Sequence, residues 1–194
     1  MTPVPALPGL PTHLLLASGS PRRLALLSGF GLRPEVAPTA IDETPLPGER
    51  PVALVERLAR AKAAVAETDA VVLAADTIVE LDGEPLGKPA DVTAARAMLR
   101  RLAGRRHEVH TAVAVRQGGR SHALVATTVV WFRALEAAEI DWYVSTGEPL
   151  DKAGGYGIQG SAGAFVTRIE GSFTNVVGLP LPETIELLRR ISGA

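Results

Sequence analysis

Short apolar runs alternate along this chain with stretches whose apolar residues recur at helical spacing. Residues 13–17 (HLLLA) form the first run and predict a buried strand. Ser20 then suits an N-cap and Pro21 a first helical position, so a helix opens there and continues through Leu24, Leu27 and Phe30. Residues 34–47 are turn-rich. A second helix is expected over 51–68, its apolar stripe carried by Val52, Val55, Leu58, Ala59, Val65 and Ala66. Residues 71–75 (VVLAA) predict a buried strand that delivers Asp76 and Thr77 at its end; 78–81 continue extended, and Asp82-Gly83 marks a hairpin turn. A third helix is expected over 93–103, with Gly104 just past its end.

Residues 108–116 and 121–132 flank Gln117-Gly118-Gly119-Arg120 and read as a long antiparallel hairpin. A helix over 136–146 ends at Gly147. The glycine-rich stretch 154–163 reads as a loop, 165–169 as a strand and 181–192 as a terminal helix. Strands and helices alternate irregularly, which predicts an α/β fold: a mixed sheet with helices on its faces. The length of 194 residues suits one large α/β domain or two closely packed lobes. Residues 1–12 are proline-rich and are expected to form a flexible extension outside the fold, with the domain over 13–194.

Composition narrows the functional classes. Hydrophobic residues make up 46% of the chain, enough for a sizeable core. A net charge of −1 gives no bulk field toward nucleic acid or an anionic membrane, so phosphate binding would need a local cluster. The absence of cysteine excludes disulfides, thiolate nucleophiles and cysteine-based zinc sites. The first residues have no basic segment of the kind a signal peptide carries, and no apolar run is long enough to span a membrane. The cytoplasm is therefore the expected location.

Four segments carry candidate chemistry. Ser18-Gly19-Ser20-Pro21-Arg22-Arg23 lies between a strand and a helix, where free N–H groups and the helix dipole favour phosphate; it reads either as an anion site or as a capped helix with solvated arginines. It is neither a Walker A loop nor a GxGxxG turn. Asp76 ends an apolar strand, as a cation ligand or base would, or as a turn cap. Lys62 falls on the apolar stripe of its helix, where a lysine either snorkels to water or meets an anion; Lys88, between Gly87 and Pro89, is a second cation. With Glu43, these residues supply what metal-assisted phosphoanhydride cleavage needs. Residues 147–160 combine glycines with Tyr156 and Gln159; they read either as a ligand loop, Gln159 matching donors and acceptors on a base edge, or as a tight connection. The histidines lack metal spacing and read as surface or structural residues. No Gly-x-Ser-x-Gly elbow is present.

Together the stretches LLLASGSPRRLALL, RLARAKA, AADTIVELDGEPLGKP, HTAVAV, GEPLDKAGGYGIQGSAGAFV and GSFTNVVGLPLPET resemble the Maf family, the septum-formation inhibitor proteins, in order from about Leu14 to Leu188. The resemblance implies an elongated sheet in two lobes with a cleft, related to the fold of inosine-triphosphate pyrophosphatases. It implies cleavage between the α and β phosphates of a nucleoside triphosphate with a divalent cation, Mg²⁺, Mn²⁺ or Co²⁺. Asp76 would be the proton acceptor. Glu43 and Asp76 would hold the cation, Lys62 and Lys88 would serve catalysis, and Ser18, Ser20, Arg22 and Arg23 would bind substrate. A homodimer is also implied.

Substrate choice in the family follows three positions. The branch resembling dTTP/UTP pyrophosphatases has Arg, Thr and Gln there, which match Arg22, Thr77 and Gln159. The alternatives are a 7-methyl-GTP or broad-range pyrophosphatase and a nucleotide-binding regulator of septum formation.

Overall fold

The computed structural model describes residues 4–66 and 68–193. Met1–Pro3 of the proline-rich extension lie outside the described residues, as does Glu67 at the end of the second expected helix. In chain order the elements are β1 (Leu14–Leu16), α1 (Pro21–Ser28), β2 (Glu35–Val36), α2 (Pro51–Ala64), β3 (Val71–Leu81) and β4 (Glu84–Leu86). They continue with α3 (Val92–Leu102), β5 (Arg106–Gln117), β6 (Arg120–Phe132), α4 (Ala137–Ser145), β7 (Val166–Glu170), α5 (Phe173–Val177) and α6 (Leu181–Ser192).

Among the described residues, seven strands form one mixed sheet in the order β2-β1-β3-β5-β6-β7, with β4 paired to β3. β1 runs parallel to β2 and to β3, whereas β3–β4 and β6–β7 are antiparallel. The expected mixed α/β architecture is therefore present. Asp82 and Gly83 both take positive φ between β3 and β4, as a two-residue hairpin turn requires.

Helix α2 stops at Ala64, short of the expected Thr68. The Arg116 guanidinium donates to the carbonyl of Ala63, which the helix end leaves without an intrahelical partner, and to that of Ala66 just beyond the cap. Within stretch 154–163 the loop reading holds for 156–160, whereas the two ends belong to 3₁₀ turns over 153–155 and 161–165, with a further one over 148–151. α5, β2 and β4 are too short to have left a periodic signal.

By packing, the chain divides into two compact units. The first comprises Met1–Asp76, Thr111–Ala126 and Gly178–Ala194. Its core joins Leu14 and Leu16 of β1, Val71 and Leu73 of β3, Val113 and Val115 of β5, and Leu187, Leu188 and Ile191 of α6. Each such side chain, fully buried, contributes about 1.5–3 kcal/mol. In the stretch read as an extension, Leu7 N donates to Phe30 O at 3.2 Å, Arg189 donates to Pro8 O at 3.2 Å, and Leu10 packs against this core.

The second unit comprises Thr77–His110 and Thr127–Val177. An edge-to-face aromatic cluster of His107, Phe132, Tyr143, Tyr156 and Phe165 fills it. His107 and His110 are both buried, in keeping with structural roles. His107 Nε2 lies 2.8 Å from the Tyr156 hydroxyl. His110 on β5 bridges its two neighbours: Nδ1 lies 2.8 Å from Thr127 Oγ1 on β6, and Nε2 lies 3.0 Å from Glu80 Oε2 on β3.

Candidate active site

The first unit gathers most of the residues singled out from the sequence. β1 runs out at Leu16, and the chain turns through Ser18 and Ser20 into α1. Ser20 caps that helix: its backbone is extended, and its hydroxyl accepts from Arg23 N at 3.5 Å. Pro21 needs no N–H partner at the first helical position. Ser18 is buried, and its hydroxyl accepts from Ser20 N at 3.3 Å and from Arg23 Nη1 at 2.9 Å.

Arg23 directs Nε and Nη1 of its guanidinium to the protein. Nε donates to Gly178 O at 2.8 Å, and Nη1 to Ala75 O at 2.9 Å as well as to Ser18. It thereby ties three segments together: the head of α1, the residue before Asp76, and the turn that leads to α6. Burial lowers its pKa to about 10, while Asp76 raises it, Arg22 lowers it and Glu43 raises it. Half-buried Arg22 thus lies within electrostatic reach of the same group.

The centre of the site is a lysine between two carboxylates. Lys62 on α2 places Nζ 2.6 Å from Asp76 Oδ1 and 2.6 Å from Glu43 Oε1. Of its two sequence readings, the anion partner holds. The side chain is 11% exposed, against 14% for Asp76 and 56% for Glu43, so the pair Lys62–Asp76 is sheltered and Glu43 faces water. Burial pushes the Asp76 carboxyl above the usual aspartate range. Lys62 and Arg23 pull against that, and Glu43 adds to it. A carboxyl that holds a proton more readily than usual suits a base for water. Two hard oxygens converging on one positive charge also form the donor set a divalent cation uses. Among the described residues no group of three or more His, Cys, Asp or Glu side chains forms a metal site, so such a cation would take its remaining ligands from water or substrate.

Thr77, Lys88 and Gln159 belong to the second unit. Thr77 follows Asp76 on β3 and is half-buried; Lys88 and Gln159 are exposed, Lys88 after β4 and Gln159 in a turn after Tyr156. Sequence reading missed Tyr143 and Glu148, which hold that turn. The available signal was the pair Gly157 and Gly160: a Cβ at either would meet Lys152 or Glu148 below 3 Å.

Relatives of this chain are found among known proteins. The dTTP/UTP pyrophosphatase of Anaeromyxobacter dehalogenans (strain 2CP-1) is 59% identical over 92% of this chain and 93% of that one. Its namesake in Myxococcus xanthus is 54% identical over 92% of each chain, and that of Vibrio cholerae 50% over 92% of this chain and 98% of its own. Among solved structures, the Staphylococcus aureus Ham1 protein aligns over 62% of this chain and 71% of that one, at 16% identity and a TM-score of 0.44, too slight a likeness to carry weight. The family described as Maf-like protein matches residues 13–191, which include every site residue named above. From the serine turn through Asp76 to the Gln159 turn, the chain belongs to the Maf-like family.

Proposed function

We propose that the chain is a nucleoside-triphosphate pyrophosphatase that takes dTTP and UTP and releases the monophosphate and pyrophosphate. The observation that carries this reading is its identity of 50–59%, across nine-tenths of both chains, to three proteins named dTTP/UTP pyrophosphatase. The site supplies chemistry that suits the reaction. Water attacks the α phosphorus, the bond from that phosphorus to the oxygen bridging the β phosphate breaks, and pyrophosphate leaves. The proton released by water passes to Asp76, whose raised pKa favours acceptance. Lys62, 2.6 Å away, favours the charged form of Asp76 against the effect of burial. Lys62 and Lys88 offset negative charge on the triphosphate, with Ser18, Ser20, Arg22 and Arg23 lining its path.

Glu43 and Asp76 would hold a divalent cation, Mg²⁺, Mn²⁺ or Co²⁺. Such ions commonly accept one or two carboxylates beside phosphate and water oxygens. When bound, the cation would supply charge neutralisation on the phosphates. Arg22, Thr77 and Gln159 select the base; Gln159 offers both a donor and an acceptor to a pyrimidine edge. The enzyme works in the cytoplasm as a homodimer on this reading. No helix among the described residues is long and apolar enough to cross a membrane.

The test is product analysis with UTP, dTTP, CTP and 7-methyl-GTP. UMP and dTMP with pyrophosphate are expected, and exhaustive chelation should abolish turnover. UDP with orthophosphate would overturn the proposal, as would a clear preference for 7-methyl-GTP. Turnover that survives chelation would remove the cation.

A further inference from the structure

The turn that carries Gln159 is closed by a hydrogen bond from Gly160 N to Gly157 O at 3.0 Å. One pair of side chains holds both of its ends. The buried Tyr143 hydroxyl on α4 accepts from Gly157 N at 3.1 Å and donates to Glu148 Oε1 at 3.0 Å. The other carboxylate oxygen, Oε2, accepts from Ser161 N at 3.1 Å. The amides at the two ends of the turn are therefore tied to a single relay.

Glycine makes the close packing possible. A Cβ on Gly157 would stand 2.6 Å from Lys152 Cε, and one on Gly160 would stand 2.2 Å from Glu148 Oε1. The need is for space rather than for a left-handed backbone, since Gly160 has a φ of −100°. Between these fixed points Ile158 is buried and Gln159 is exposed, so the turn is anchored on one side and presents the amide on the other. Lys152 Nζ donates to Glu148 O at 2.7 Å and fixes the backbone from which the carboxylate projects.

We propose that Tyr143 and Glu148 are positioning residues for base selection: they hold the 157–161 turn so that Gln159 meets the pyrimidine edge in one orientation. The proposal rests on Gln159 reading the base, as argued above. A long amide side chain on a loose turn would satisfy a base edge in several orientations and discriminate poorly. The same amide on a turn fixed at both ends discriminates, because a mismatched edge leaves its donor or acceptor unpaired. Tyr143 and Glu148 need not touch the nucleotide to have this effect.

The experiment measures kcat and KM for UTP and CTP, together with the melting temperature, on the full chain and on Gln159→Ala, Tyr143→Phe, Glu148→Gln and Gly160→Ala. CTP carries an amine where UTP carries O4, so the ratio of the two kcat/KM values reads base selection. Gln159→Ala should lower the UTP preference. Tyr143→Phe and Glu148→Gln should each lower it by roughly 3- to 10-fold, the effect of one lost hydrogen bond, mainly through KM. In a Gln159→Ala background neither should change the ratio further.

If Gln159→Ala shifts the ratio while folded Tyr143→Phe and Glu148→Gln leave it intact, the positioning role is wrong and the base reading stands. If Gln159→Ala leaves the ratio intact, both fall. Equal losses on UTP and CTP in step with a lower melting temperature would make the pair structural only and overturn the proposal. Should Tyr143→Phe fail to fold, Glu148→Gln and Gly160→Ala decide the matter, since they disturb the same carboxylate from either side.

Discussion

Lys62 Nζ lies 2.6 Å from Asp76 Oδ1, and both side chains are largely withdrawn from water. The pair joins a helix to the middle of a long strand. Burial alone would favour a protonated Asp76; the ammonium offsets it. Asp76→Asn preserves shape and removes the basic oxygen. Turnover should fall by about 10²–10⁴-fold, the usual contribution of a general base, with the fold retained because Glu43 still pairs with Lys62. Steady-state rates with a melting curve check this, and near wild-type turnover would dismiss Asp76 as the base.

Arg23, which reads as a phosphate donor from sequence, is also engaged through Nε and Nη1 by Gly178 O, Ala75 O and Ser18 Oγ. A lysine offers a compact ammonium in place of a planar fork and cannot match three acceptors laid out for a guanidinium. Arg23→Lys should therefore destabilise the protein by about 2 kcal/mol, or roughly 4–8 °C in melting temperature. Calorimetry decides: a Lys variant that melts with the wild type would mean the strut is not needed.

Gln159→Glu replaces an amide that donates and accepts with a group that only accepts when ionised. Activity on dTTP and UTP should fall roughly 5- to 150-fold, equivalent to about 1–3 kcal/mol. A cationic base such as 7-methylguanine should be penalised less. Competition assays between UTP and 7-methyl-GTP measure the difference, and an equal loss on both would assign Gln159 to loop support.

Burial depresses the pKa of His107 to about 4. The folded state thus disfavours the proton relative to an ordinary histidine near 6.5. The stability this group contributes is fully present above pH 6.5 and is lost as pH falls from 6.5 toward 4. Denaturant midpoints across that window should decline in the wild type. They should decline less in His107→Phe once each variant is referred to its own value at pH 7. Parallel curves would place the acid sensitivity elsewhere.

The sequence made legible what local physics decides. Ser20 and Pro21 open α1 as read, the hairpin turns at Gly118-Gly119, and α6 spans the expected residues because its apolar stripe is long and periodic. Other features depend on groups far along the chain. Whether Lys62 reaches water or an anion depends on the Asp76 strand, 14 residues on. The carbonyl that claims Arg23 Nε is 155 residues away. α5, only five residues of FTNVV, carries no helical period; Asn175 within it bonds Val109 O and Thr128 Oγ1, partners no local pattern reveals. The relay of Tyr143 and Glu148 went unread because a tyrosine on a helix face signals packing, and its hydroxyl signals nothing until the turn beside it is known.

His110 has a consequence for how the sheet finds its alignment. β5 and β6 are long strands, and a shift of two residues between them would keep every side chain on its proper face. Apolar alternation cannot detect that error. An imidazole bonded to Thr127 on one side and Glu80 on the other can, because in any other offset it would be buried without those partners. A single residue thus acts as a proofreading mark for three strands at once. A sheet misaligned here would carry the cost of a buried imidazole without its partners.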